Sequence, residues 1–156
     1  MKTQKKKVNI DTEKKDELAV NNLNLKFKKR AYFQPLAPIL LEEDFQKYFS
    51  INKSIKRNLE WMGTLCDAKD ELYNKYSSII HVDGTCRTQI VKDKNTLTYK
   101  ILENLKKSGS EILVNTSFNI SKDPVVFDLY DVYVNMKRMK IKFVLMDDGL
   151  YQTKDI

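Results

Sequence analysis

Apolar positions along this chain fall into short runs and two helical stripes. Ile112, Leu113 and Val114 form a branched apolar run that breaks into Asn115, Thr116, Ser117, Phe118 and Asn119. Such a run predicts a short strand buried on both faces, and the rest of the chain reads as organised around it. Leu97, Ile101, Leu102 and Leu105 recur at helical spacing and predict an amphipathic helix over 95–107, ended by Ser108-Gly109. Leu129, Val132, Tyr133 and Met136 mark a second helix over 127–139. Residues 42–49 predict a short helix with Glu42, Glu43 and Asp44 at its start, where the helix dipole favours acids. Residues 39–41, 59–66 and 142–146 predict strands, with Trp61 in the core; 50–58 predict a polar surface loop and 67–76 a charged helix or loop. Leu18, Val20, Leu23, Leu25 and Phe27 are spaced ambiguously between helix and strand. Asp83-Gly84-Thr85 is turn chemistry between β-branched flanks. After it Thr85, Arg87 and Gln89 alternate with Cys86, Thr88 and Ile90, which places a polar set on one strand face. Asp123-Pro124 makes a turn, and Asp147-Asp148-Gly149 ends the last strand. Strands and helices alternate, so the fold class is α/β or mixed α+β, built on one sheet.

Composition changes this picture little, and charge changes it at one end. A chain of 156 residues, 42% apolar, is long enough to bury a core and reads as one folded domain over 22–156. Residues 1–30 hold +6 of the +7 net charge, so the basic character belongs to the N-terminus and the body is nearly neutral. Residues 1–21 read as a lysine-rich, disordered arm, either simply solvated or available to nucleic acid or another polyanion. No apolar run reaches bilayer-spanning length, and the lysine-rich start has no apolar segment behind it as a secretory signal would. Two cysteines, Cys66 and Cys86, make no disulfide framework and fit a reduced, cytoplasmic setting. One histidine, His81, with those cysteines gives no zinc spacing, and no glycine-rich phosphate loop is present.

Candidate chemistry gathers in two places. Lys26-Phe27-Lys28-Lys29-Arg30-Ala31-Tyr32-Phe33-Gln34-Pro35 sets four cations beside three aromatics ahead of prolines that favour an extended path. On an extended chain Lys28 and Arg30 share one side and form an anion clamp; the alternative is a solvated basic stretch. At the end of the 112–114 strand, short hydroxyls and amides can bond phosphate or carbonyl oxygens, or can simply make a turn.

These residues resemble the C-terminal domain of the NodU/CmcH-type carbamoyltransferases. KFKKRAYFQPLAP is similar to that family's Lys-x-Arg-Glu-x-Phe-Arg-Pro-Phe-Ala-Pro block, HVDGTCRTQIV to its His-Val-Asp-Gly-Thr-Ala-Arg-x-Gln block, and ILVNTSFN to its Leu-Leu-Asn-Thr-Ser-Phe-Asn block. Three blocks in order extend the resemblance over about residues 22–151. It implies a YrdC-like fold, a twisted open sheet of parallel and antiparallel strands with flanking helices. It also implies binding of carbamoyl phosphate and of ATP with magnesium, formation of carbamoyl-adenylate, and transfer to an acceptor hydroxyl in a separate N-terminal-type domain. The implied catalytic set is Lys28, Arg30 and Ser117, with Arg87, Asn115, Thr116 and Asn119 as substrate or nucleotide contacts. The chain departs from the pattern in several positions. Gln34 stands where the family block carries an arginine, and Ala31 replaces an acidic residue. Lys122-Asp123-Pro124 stands where Gly-Glu-Pro follows, and residues 1–22 hold no counterpart of a Gly-Pro-Arg-Ala-Leu-Gly stretch. The expectation is the carbamoyl-phosphate and ATP part of a carbamoyltransferase that completes transfer only with a partner domain. The alternatives are a binding module that keeps the fold without the chemistry and uses its basic arm, and an inactive remnant.

Overall fold

The computed structural model describes residues 20–153, the side chains of 53–55 excepted; the expected arm over 1–21 lies outside it up to residue 19. The chain divides into two compact units, Pro35–Val114 and a second made of Val20–Gln34 with residues 115–153.

The first unit is built on strand β1 (Ala37–Leu41), all five residues of which are buried. It pairs in parallel with β5 (Gln89–Val91), Leu40 opposite Ile90, and lies between β5 and β6 (Leu113–Asn115). A parallel pair needs a crossover and cover on its faces. Helix α3 (Leu97–Lys107) supplies cover: Tyr99 and Leu102 pack on Ile39 and Leu41, with Val91 and Leu113 at the margin. Thr96 starts this helix, its Oγ1 accepting the Tyr99 N–H at 3.2 Å. Gly109, at φ 88°, takes the left-handed turn that follows the helix end. A second, antiparallel sheet joins β2 (Phe49–Ser50), β3 (Cys66–Ala68) and β4 (Thr85–Cys86). A short 3-10 turn (Glu42–Asp44) and α1 (Phe45–Tyr48) lead into it, and α2 (Asp70–Lys75) follows β3. Cys66 and Cys86 are free, buried thiols facing one another in register. Burial pushes both thiol pKa values up, that of Cys86 to about 12, so they are inert packing groups.

The second unit begins with a π-helix, Asn22–Phe27. It resumes beyond β6 with a loop and α4 (Leu129–Met139), whose N-cap Asp128 accepts the Asp131 N–H at 2.9 Å. It ends with a hairpin of β7 (Phe143–Met146) and β8 (Gly149–Gln152), Met146 facing Gly149. An apolar cleft of about 410 Å³ lies between α4 and the hairpin, lined by Leu129, Val132, Tyr133, Met136, Val144 and Met146.

Helices with parallel and antiparallel strands make the expected mixed α/β class, but among the described residues three sheets take the place of one. The 112–114 run is an edge strand shifted by one residue, with Val114 exposed, and β1 is the central strand of its sheet. Residues 59–66 do not form a strand: a 3-10 helix covers Lys53–Trp61, taking in much of the expected loop, and only Cys66 begins β3. Leu59 points inward and is buried, whereas Trp61, on the other side of the tight helix, is 83% exposed and no core residue. The alternation over 85–90 holds in burial, with Cys86, Thr88 and Ile90 inside, although the strand is broken and its halves serve different sheets. Helix α4 presents the expected stripe, but that face lines an open cleft. Asp147-Asp148 turns the chain after β7 as expected, but that strand is not the last, because β8 follows.

Candidate functional site

The polar centre of the second unit starts from the way its first helix ends. The Lys28 N–H donates to the Leu23 carbonyl at 2.9 Å, a five-residue spacing that widens the last turn. Lys29 then adopts φ 50°, a left-handed conformation uncommon outside glycine, and the Arg30 N–H returns to the Asn24 carbonyl at 2.9 Å. Lys28 and Arg30 are therefore placed by a helix end and a left-handed turn, not by the extended chain that the prolines suggest.

Lys28 is 2% exposed. A buried ammonium is tolerated when its protons are satisfied. Its Nζ donates to the Ser117 carbonyl, to Ser117 Oγ at 3.4 Å and to Asn119 Oδ1 at 2.9 Å. The Lys28 carbonyl in turn accepts the Ser121 N–H at 2.8 Å. Ser117 Oγ donates to Asn119 Oδ1 at 2.6 Å, and Asn119 Nδ2 donates to the Asp123 carbonyl at 2.6 Å. The Asp123 carboxylate pairs with Arg138 at 2.7 Å. One lysine thus gathers the loop after β6 into a defined shape.

Arg30 is held differently. Its Nε donates to Asn24 Oδ1 at 2.8 Å, and its Nη2 is buried with no hydrogen-bond partner among the described residues. Burial first, and then the nearby Arg30 charge, lower the Lys28 pKa; burial lowers that of Arg30. No carboxylate among the described residues pairs with either cation. Among the described residues the cluster therefore carries uncompensated positive charge and an unused guanidinium donor, beside a hydroxyl and an amide. Such a set can bind a phosphate or another oxyanion.

The structure brings Lys28, Ser117 and Asn119 into direct contact and sets Arg30 near them. Asn115 ends β6, and Thr116 opens the loop that carries Ser117. Arg87 lies in the first unit, exposed between β4 and β5. Gln34 and Ala31 are exposed, and the Gln34 carbonyl accepts from Asn24 at 3.0 Å. Asn24 is the residue that sequence reasoning misses. Its one signal is an amide set between Leu23 and Leu25 in a stretch of apolar positions. Among the described residues no helix is long and apolar enough to cross a membrane.

A family model described as carbamoyltransferase C-terminus matches residues 10–153. An uncharacterised protein of Methanocaldococcus jannaschii is 34% identical over 142 residues, 90% of this chain and 23% of that protein. Nodulation protein NolO of Bradyrhizobium diazoefficiens is 34% identical over 113 residues, covering 71% of this chain and 20% of its own length. Nodulation protein NolNO of Sinorhizobium fredii is 32% identical over 113 residues, covering 71% of this chain and 16% of its own. The chain thus spans between 16% and 23% of these curated relatives.

Proposed function

This chain belongs to the carbamoyltransferase C-terminus family, and on that premise we propose that its second unit binds carbamoyl phosphate and magnesium-ATP to form carbamoyl-adenylate. The observation that carries this reading is the buried Nη2 of Arg30, without a partner among the described residues, beside the buried ammonium of Lys28. A buried guanidinium donor without an acceptor costs about 1–3 kcal/mol. A phosphate oxygen would satisfy it.

Carbamoyl-adenylate forms when a carbamate oxygen bonds the α-phosphorus of ATP and pyrophosphate leaves with the bonding electrons. The carbamate comes from carbamoyl phosphate by hydrolysis: water supplies one oxygen, the bond to the phosphate group breaks, and inorganic phosphate and a proton are released. Negative charge builds on the departing phosphates, where fixed cations stabilise it. Arg30 supplies the directed contact and Lys28 the nearby charge. Ser117 and Asn119, shaped by Lys28, orient the carbamoyl or nucleotide group. Tyr32 and Phe33, exposed and edge-to-face at 5.5 Å, stand just beyond Arg30 and offer an aromatic surface to a base. No group of three or more His, Cys, Asp or Glu side chains among the described residues is placed to hold a metal ion. Magnesium would therefore ride mainly on phosphates and water. Transfer to an acceptor hydroxyl would fall to a further domain of the kind that the longer relatives have room for.

The test is calorimetric titration of the chain with magnesium-ATP, with and without carbamoyl phosphate. The expected result is saturable binding that falls in Ser117→Ala. A folded sample that takes up neither compound contradicts the reading.

A further inference from the structure

We propose that Asn24 is the positioning residue of this site: it aims the Arg30 guanidinium at the anion and, being uncharged, leaves the guanidinium charge available to it. The proposal rests on the anion-binding reading above and adds the device that makes it work.

Asn24 is 0% exposed, and its side chain is fully engaged. Nδ2 has two protons; they go to the Tyr32 carbonyl at 2.8 Å and the Gln34 carbonyl at 3.0 Å. Oδ1 accepts Arg30 Nε–H at 2.8 Å. The Asn24 main-chain carbonyl accepts the Arg30 N–H at 2.9 Å. One residue therefore fixes the backbone on both sides of Ala31 and the near edge of the guanidinium. Because that group is planar, anchoring Nε sets the direction of the Nη nitrogens. Nη2 is the atom left buried and without a partner among the described residues.

Chemistry restricts what could stand at position 24. The two carbonyls need two donors and Arg30 needs an acceptor, and a short side-chain amide offers both. A carboxylate would accept from Arg30 too, but it would cancel the cation and face two carbonyl oxygens. A hydrocarbon would strand all three groups. Lys28 is in a different position. Its three protons already have acceptors, so it contributes charge and loop shape while the directed contact is left to Arg30.

The test is a double-mutant cycle on the whole chain, with inorganic pyrophosphate as the titrant in calorimetry. Arg30→Ala and Asn24→Ala should each weaken binding by about tenfold or more. The double variant should bind no more weakly than Arg30→Ala alone, because Asn24 acts through Arg30. Equal weakening by Asn24→Ala with and without Arg30 overturns the proposal and leaves the anion site standing. No uptake by the folded, unsubstituted chain overturns the anion site itself. A second measurement needs neither variant nor ligand: the Arg30 Nε–H signal in nitrogen-edited NMR. It should be shifted from that of free arginine and protected from exchange, and exchange at the free-arginine rate overturns the proposal. Asn24→Asp tests the need for a neutral acceptor. It should keep the Arg30 Nε–H signal and lose pyrophosphate affinity at pH 7; unchanged affinity counts against it.

Discussion

The two units bury different kinds of side chain. Behind β1 and the neighbouring 3-10 and α segments of the first unit lie Leu36, Leu40, Leu41, Phe45, Tyr48, Phe49, Leu59, Leu72 and Leu102, all almost wholly out of solvent. In the second unit the buried apolar residues among those described are Ile120, Met136 and Met139. The buried polar ones are Asn24, Lys28, Asn135 and Thr153. Apolar burial is non-directional and tolerates modest shifts. Hydrogen bonds to a buried ammonium and amide are directional, and losing one partner strands the others. The first unit is therefore held by area and the second in large part by geometry. A unit held in this way can keep a guanidinium edge exact enough to bind an anion.

The largest test of that contrast removes area. Leu40→Ala, in the centre of β1, should destabilise the first unit by about 3–4 kcal/mol, read from guanidinium chloride unfolding. A loss below about 1 kcal/mol would break the contrast from the apolar side. Acid comes next and also acts on the first unit. Burial pushes the Glu111 carboxyl up, but hydrogen bonds from Lys47 and Tyr48 and the charges of Lys75 and Lys47 bring it down to about 2. Its folded pKa lies below the ordinary 4.5. The unfolded chain therefore holds the proton more readily, and this stabilisation is full above that pH and drains as pH falls toward about 2. The loss is on the order of 2–3 kcal/mol, read as urea midpoint against pH, and Glu111→Gln should lack it. Lys28→Met keeps most of the unbranched side chain and removes the ammonium group. It should cost about 2 kcal/mol, with amide exchange rising in residues 115–123 and unchanged in β1 and β5. Equal acceleration in both units would show that the lysine does not act locally. The smallest effects calibrate the rest. Thr96→Ala and Asp128→Ala remove the same N-cap device from α3 and α4, and each should cost about 1 kcal/mol in thermal unfolding.

What could be read from the sequence follows the same division. The branched run of β1 and helix α3 are legible because apolar spacing reports burial against a core; α4 and β7 are found by their apolar positions although most of those side chains stay exposed or half-buried. Strand β8 is not, since Leu150 and Tyr151 are both exposed and the hairpin carries no alternation to detect. Trp61 misleads because composition says core, while the turn of a tight helix decides which side a residue faces. In the candidate site, residue types suffice to select Lys28, Arg30, Ser117 and Asn119. They do not show that Lys28 is saturated and Arg30 is not, because that depends on carbonyls about ninety residues away in the chain. Asn24 is hidden for a related reason: hydropathy scores an amide as a surface residue, and only its partners reveal it as buried.

The most direct test of the central claim is the affinity of the chain for carbamoyl phosphate alone, measured by calorimetry at low ionic strength for the unsubstituted chain and for Arg30→Ala. One saturable site is expected, weakened about tenfold or more in the variant, with a cooperative unfolding transition retained. Equal affinity in the two proteins would contradict it, for then the unpartnered guanidinium is not where the anion binds.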